Sequence, residues 1–96
     1  MPTMMKQRFE LGRLLATPGA LRMLGSHGQT AMHFLSRHIR GDWGDLDEED
    51  KRENEFSIQN GFRILSAYKL NGDGQKIWII TEADRSATTI LLPEEY

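Results

Sequence analysis

Residues 61–96 read GFRILSAYKLNGDGQKIWIITEADRSATTILLPEEY, and this stretch decides the fold class. Its apolar runs at 62–70, 76–81 and 87–92 are rich in residues that favour β-strands. The connection NGDG between the first two runs is a strong β-hairpin signal, and EADRS between the last two is a second turn. The stretch therefore predicts a three-stranded antiparallel meander, in which KIWIIT is the middle strand because it is almost continuously apolar.

Three helices are predicted ahead of the meander, over 18–24, 31–40 and 48–59. Each predicted helix follows a residue whose side chain caps helix N-termini well, namely Thr17, Thr30 and Asp47. The segment at 9–16, FELGRLLA, fits either an edge strand or the start of a helix. Helices followed by an antiparallel sheet predict an α+β fold, with the helices on one face of the sheet and room for an extra N-terminal edge strand.

Size and composition restrict the class of protein. Ninety-six residues predict a single domain spanning 1–96. The chain has no cysteine, which excludes disulfides, cysteine-ligated zinc, iron–sulfur clusters and a thiol nucleophile, and fits the reducing cytoplasm. No run approaches the roughly 20 apolar residues of a membrane span. We therefore expect a cytoplasmic protein that does not engage a membrane.

Charge is divided unevenly along the chain. Residues 1–41 carry six bases and one acid, whereas residues 42–96 carry six bases and thirteen acids, and the net charge is −2. Eight of the acids lie within 42–55. This asymmetry can mark binding surfaces of opposite sign, or the two halves can neutralise each other in the fold.

The acidic run at 42–55 fails as a calcium loop. Counting from Asp45, the sixth position is Asp50 where the loop needs glycine, and the twelfth is Phe56 where it needs glutamate. The run is either a solvated helix start or a face that engages a basic protein, such as a nucleic-acid-binding complex. As partner-binding candidates we select the acids of the helix start, which are Asp45, Asp47, Glu48, Glu49 and Asp50.

Two further features are partner-binding candidates. Trp43 lies in the loop GDWGDL, where its ring is expected to anchor on the core while remaining among the exposed features. The turn at 82–86 contributes Glu82, Asp84 and Arg85. This cluster fits three interpretations: a structural turn, a partner-binding surface, or an acid/base site in which Arg85 clamps an anion.

The sequence argues against other kinds of site. His27, His33 and His38 do not have the spacing of a zinc site, and His38 falls on the predicted buried face of the second helix. No glycine-rich phosphate loop precedes a helix, and no dense stripe of Lys and Arg indicates direct nucleic-acid binding. We therefore expect no metal, no cofactor and no direct contact with nucleic acid.

Three segments carry a resemblance: ATPGAL at 16–21, FLSRHIRGDWGDLDEEDKREN at 34–54, and 63–96 with its ending WIITEADRS-x-TTILLPEEY. They resemble a group of short uncharacterised bacterial proteins carried on plasmids and integrative elements. These proteins are labelled "plasmid-related protein" or type I restriction subunit, and this sequence does not support the second label. A methyltransferase needs a cofactor domain that 96 residues do not hold. The resemblance implies a mobile genetic element as the setting and supplies no catalytic residues.

Small acidic proteins of mobile elements often bind and block a host-defence complex. The resemblance therefore implies a protein-binding inhibitor of CRISPR or restriction machinery, that is, an anti-CRISPR or anti-restriction protein, rather than an enzyme. Two alternatives stay open, which are a generic accessory module that binds a partner and a small enzyme that uses the cluster from Glu82 to Arg85. The sequence leaves the oligomeric state open.

Overall fold

A computed structural model describes residues 7–96, in which three helices accompany one sheet of four strands. The basic N-terminal half predicted from the sequence includes residues 1–6, which lie outside this range. In chain order the elements are β1 (Arg13–Ala16), α1 (Pro18–Ser26), α2 (Ala31–Ile39), α3 (Glu48–Asn60), β2 (Ile64–Lys69), β3 (Lys76–Thr81) and β4 (Ala87–Leu91), followed by a short 3-10 turn (Pro93–Glu95). The α+β class is confirmed.

The sheet is mixed, with the strand order β1-β4-β3-β2. Strands β2, β3 and β4 are antiparallel neighbours, whereas β1 pairs in parallel with β4 in the register Leu15 to Thr89. The three predicted strands pair as the expected antiparallel meander, but the sheet as a whole is mixed because a fourth strand joins it in parallel. The extra N-terminal edge strand is confirmed, and it covers the side of β4 that would otherwise be an open edge.

Helix starts follow local side-chain chemistry as predicted. Thr17, Thr30 and Asp47 each accept a hydrogen bond from the backbone N–H three residues ahead. The predicted end of the first helix at Gly25 is wrong, because α1 continues to Ser26 and is closed by the N–H of His27. The third helix ends at Gly61, which adopts the left-handed conformation with φ 74°.

The main core lies between the helices and one face of the sheet. Ala20 and Leu24 of α1 and Phe34 and Leu35 of α2 pack there. The strands contribute the buried side chains of Tyr68, Ile77, Ile79 and Ile90. A second, smaller cluster is formed by Phe9, Trp43 and Ile64. The alternation of strand side chains places all of these sheet residues on the same face.

A chain of buried hydrogen bonds includes His38. The hydroxyl of Thr88 donates to the carbonyl of Leu11 at 2.7 Å, so its oxygen accepts from Thr81, also at 2.7 Å. Thr81 in turn accepts from Nε2–H of His38 at 2.9 Å, and Nδ1 accepts from the Ser66 hydroxyl. The network thus fixes one neutral tautomer, and burial lowers the pKa of His38 to about 3.

Candidate protein-binding groove

Helix α3 attaches to the sheet through polar side chains. The amide of Asn54 donates to the carbonyl of Leu65 at 2.7 Å and accepts from the N–H of Leu65 at 3.1 Å. Ser57 is buried beside it, and Ile58 packs against the smaller core cluster. Because so few positions of α3 face the protein, much of the helix surface is left to solvent.

Two phenylalanines lie exposed at the end of α3. Phe56 is 59% exposed and Phe62 is 53% exposed, and their rings stack with centroids 5.8 Å apart at an interplanar angle of 8°. Phe56 is one of the few apolar residues of α3, and its exposure shows that it does not hold the helix on the domain. Large aromatic side chains left in solvent are typical of binding surfaces, especially when they lie together.

The stacked pair lies in an open groove of about 790 Å³. The groove runs between α3, the start of β2 and the turn that joins β3 to β4. Its apolar lining comes mainly from the two rings. The full lining consists of Glu49, Arg52, Glu53, Phe56, Ser57, Phe62, Arg63, Glu82 and Ala83.

The rim of the groove carries charge of both signs with an excess of acid. Glu49, Glu53 and Glu82 supply three carboxylates, whereas Arg52 and Arg63 supply two guanidinium groups. The guanidinium of Arg63 also lies over the ring of Tyr96, 5.2 Å from its centroid. The first turn of α3 adds further acids next to this rim.

Arg85 holds the turn between β3 and β4 in place. Its Nη1 donates to the carbonyls of Phe62, Glu82 and Ala83 at 2.7, 3.2 and 3.0 Å, and its Nη2 donates to the carbonyl of Ser57 at 2.9 Å. Its backbone adopts φ 62°, a left-handed conformation that is uncommon outside glycine. These four hydrogen bonds give Arg85 a structural role in this turn, and they engage the guanidinium nitrogens that the anion-clamp interpretation requires.

The remaining acids of this turn have separate roles. Asp84 accepts the N–H of Ser86 at 3.0 Å, and hydrogen bonds from Ser86 hold the pKa of its carboxyl below the usual range. The side chain of Glu82 lines the groove. The three members of the predicted acid/base cluster therefore do not converge on one point, and Glu82 alone of them lines the groove.

Trp43 is buried, with only 4% of its surface exposed. Its ring stacks on Phe9 with centroids 6.1 Å apart, and its Nε1 donates to Glu55 at 3.2 Å. The predicted anchoring on the core is confirmed, whereas the expectation that Trp43 is an exposed feature is wrong. The two glycines around it, Gly41 and Gly44, both adopt positive φ, which lets the loop turn the indole inward.

The acids at the start of α3 have different surroundings. Asp45 faces Lys69 at 3.9 Å, Asp47 caps the helix, and Glu48 faces Lys51 at 3.6 Å. Asp50 lines a smaller hollow of about 180 Å³ that shares Glu53 and Arg63 with the groove. The structure therefore brings Glu49 and Glu82 together across one surface, with Asp50 beside them, although the sequence places these two glutamates 33 positions apart.

Two other kinds of site were sought in the part of the chain that the structure describes. Within residues 7–96, no three side chains of His, Cys, Asp or Glu form a group that could hold a metal ion. Among the helices of the same range, none combines the length and the apolar character that crossing a bilayer requires.

The fold and groove define an α+β protein with three helices, a mixed four-stranded sheet and an aromatic groove with an acidic rim. No protein-family model, curated protein or solved structure matches the chain.

Proposed function

We propose that this protein is a binding module for another protein and that the partner docks in the groove around Phe56 and Phe62. The observation that carries the proposal is the exposed, stacked phenylalanine pair within an acidic rim. Burial of one phenylalanine side chain contributes roughly 1.5–3 kcal/mol, so a partner that covers both rings gains a substantial part of its affinity there. Aromatic anchors of this kind dominate the energetics of many interfaces.

The charge around the groove specifies the partner further. Acids exceed bases on the rim, and Asp50 and the other acids of the first turn of α3 extend the negative surface. A segment that presents an apolar side chain flanked by Lys or Arg is complementary to this arrangement. The proposed partner is therefore a basic protein. We place the interaction in the cytoplasm, because a chain without cysteine suits that reducing compartment.

A nucleic-acid-binding complex of host defence is the most specific form of this proposal. Its support is the resemblance to proteins of mobile elements together with an acidic surface that can occupy a basic nucleic-acid channel. In that case the protein acts as an anti-CRISPR or anti-restriction inhibitor, and nucleic acid competes with it for the partner. Catalysis is not part of the proposal, because backbone carbonyls occupy Arg85 and backbone N–H groups engage Asp84.

The proposal is tested by comparative capture from the host with three forms of the tagged protein. The wild type is compared with the double variant Phe56→Ser, Phe62→Ser and with the control Met32→Ser, whose residue is also exposed and apolar but lies on α2. We expect a basic protein to be retained by the wild type and the control and lost by the double variant. Equal recovery with all three forms, or no specific protein with any of them, would contradict the proposal.

A further inference from the structure

Strand β1 forms an edge of the sheet, and no strand within residues 7–96 pairs with its outward side. The N–H groups of Arg13 and Thr17 donate inward, to the carbonyls of Ser86 and Ile90, both at 3.0 Å. Because successive residues of a strand direct their backbone groups to opposite sides, the N–H and C=O groups of Leu14 and Ala16 point away from β4. Four backbone groups of this edge are therefore positioned to pair with another strand.

The opposite edge of the sheet is closed by the protein itself. On the outer side of β2, the N–H of Ala67 donates to the carbonyl of Trp43 at 3.2 Å, and its C=O accepts from the N–H of Asp45 at 2.6 Å. The side chain of Asn54 satisfies both backbone groups of Leu65. The described part of the chain thus covers one edge with a loop and a side chain, and it leaves the outward side of β1 unpaired.

The two leucines of β1 are exposed, one on each face of the sheet. Leu14 is 51% exposed on the face that also contains Ala16, and Leu15 is 41% exposed on the other face. Arg13 is the one charged residue of this four-residue strand. Of the devices by which proteins protect an open edge, β1 has a short length and one charged residue, but it has no proline, bulge or inward-pointing charge.

The open edge is held rigidly before any partner arrives. Gly12 adopts φ 65°, and a Cβ atom at this position would lie 2.4 Å from backbone atoms of Arg85 and Ser86. The hydroxyl of Thr88 donates to the carbonyl of Leu11, which fixes the chain just ahead of β1. A partner strand therefore meets an ordered template, which lowers the entropy cost of association.

We propose that a second copy of this chain pairs with β1 in the antiparallel direction and joins two sheets into one of eight strands. When Leu14 pairs with Ala16 of the second copy, both outward residues of each copy form hydrogen bonds, and the contact has twofold symmetry. A shift by two residues either way brings in Gly12, which lies outside the strand, or Pro18, which has no N–H. The pattern of donors and acceptors is thus self-complementary in one register.

Charge in this register also favours a second copy. Leu15 faces Leu15 of the other chain, so apolar side chains meet at the symmetry axis. Arg13 faces Thr17 of the other chain, and the two copies of Arg13 lie roughly 13 Å apart along the strands, given a rise of about 3.3 Å per residue. That separation exceeds the Debye length of about 8 Å at physiological salt, so repulsion between the two guanidinium groups is largely screened.

The test is the molar mass of the full chain in solution, measured by sedimentation equilibrium from about 1 μM to about 1 mM, the range in which weak dimers dissociate. We expect the mass to rise from 11.0 kDa towards twice that value. Leu14→Pro removes one outward N–H and leaves the pairing with β4 intact, so it should abolish dimer formation. Leu15→Lys places two ammonium groups face to face and should raise the dissociation constant at least tenfold. Met32→Lys, an equally drastic change on α2, should leave it unchanged.

Three outcomes would overturn the proposal. The first is a wild-type mass that stays at 11.0 kDa throughout the concentration range. The second is a dissociation constant that Leu15→Lys leaves unchanged, which remains decisive if Leu14→Pro fails to fold. The third is a dimer in which the amide hydrogens of Leu14 and Ala16 exchange as fast as in the monomer, because the proposed pairing protects both amides.

Discussion

His38 organises the polar part of the core, and its surroundings accept only the neutral imidazole. Its two ring nitrogens bond to Thr81 and Ser66, and Thr81 bonds to Thr88. Each hydroxyl proton in this hydrogen-bond network is donated once, so the loss of one side chain leaves a neighbouring polar group without its hydrogen-bond partner. A buried polar group without a partner costs roughly 1–3 kcal/mol.

Thr88→Val tests this network at a single residue. The change keeps the shape of the side chain but removes the donor to Leu11 and the acceptor for Thr81, so we expect the free energy of unfolding to fall by about 1–3 kcal/mol. Thr89→Val is the matched control, because Thr89 points to the other face of β4 and is only half-buried. Urea denaturation measures the free energy of unfolding of both variants. Equal values for the two would contradict the network.

The lowered pKa of His38 makes stability depend on pH. The folded pKa of about 3 lies below the unfolded value of about 6.5, so the unfolded chain binds more protons between these values. Stability is therefore complete above pH 6.5 and falls by up to about 1.4 kcal/mol per pH unit below it. His27 has the opposite effect, because its hydrogen bond to Asp73 raises its pKa and adds stability as pH falls.

Urea unfolding in a His27→Gln background isolates the contribution of His38. We expect this variant to be clearly less stable at pH 5 than at pH 7, since the carboxyl groups titrate mostly at lower pH. The further change His38→Gln should flatten this dependence. If the free energy of unfolding still depends on pH to the same extent without His38, another titrating group is responsible.

At the scale of elements, Arg85 connects three parts of the chain that form the groove. It bonds to the last part of α3 through Ser57, to the short segment between α3 and β2 through Phe62, and to its own turn. Hydrogen bonds from a charged donor contribute more than neutral ones. The position of Phe62, and hence the stacked aromatic pair, depends on this side chain.

Arg85→Ala should therefore lower the free energy of unfolding by about 1–2 kcal/mol, which corresponds to roughly 5–15 °C in melting temperature for a domain of this size. Arg13→Ala is the control, since Arg13 is exposed. Thermal unfolding followed by circular dichroism gives the melting temperature of both variants. An unchanged melting temperature in Arg85→Ala would contradict the structural role of this arginine.

The elements that could be predicted are those encoded by neighbouring residues. Caps at Thr17, Thr30 and Asp47 and the limits of β3 follow from local chemistry and periodicity. The pairing of β1 with β4 could not be predicted, because a four-residue strand has no periodicity to detect and its partner lies some 70 positions away. The exposure of Phe56 and Phe62 was missed for a different reason, since isolated phenylalanines are normally assigned to the core.

The acidic character of the candidate site could be predicted from the sequence, whereas the way its residues come together depends on packing. The acidic start of α3 and Glu82 were both selected from the sequence, yet their meeting in one groove depends on the tertiary fold. For Arg85 three interpretations stayed open, because its carbonyl partners are backbone atoms that a sequence pattern does not reveal. Trp43 was rightly predicted to anchor on the core, and its burial removes it from the accessible surface.

At the scale of the whole molecule, the groove and the open edge at β1 belong to opposite ends of the sheet. The groove lies beside α3 and β2, whereas β1 is the far strand in the order β1-β4-β3-β2. A dimer formed through β1 would present two grooves, which raises avidity for a partner that carries repeated sites.

The acidic rim predicts that partner binding depends on salt. We expect the dissociation constant of the captured partner to rise several-fold between about 0.05 and 0.3 M salt, because the Debye length shortens over this range. The double variant Glu49→Lys, Glu82→Lys should weaken binding strongly and reduce this dependence. Glu94→Lys is the control, since Glu94 is exposed and lies outside the groove. Calorimetric titration gives the constants, and equal weakening by both changes would contradict a role for the rim.

The most direct test of the account is an NMR titration of the isotopically labelled protein with the captured partner. Binding in the groove predicts that the largest shift changes fall on the amides of Phe56, Phe62, Arg63 and Ala83, with little change in α1 and α2. Perturbations that concentrate on α1, α2 or β1, while the amides around Phe56 and Phe62 stay unchanged, would contradict the proposed site.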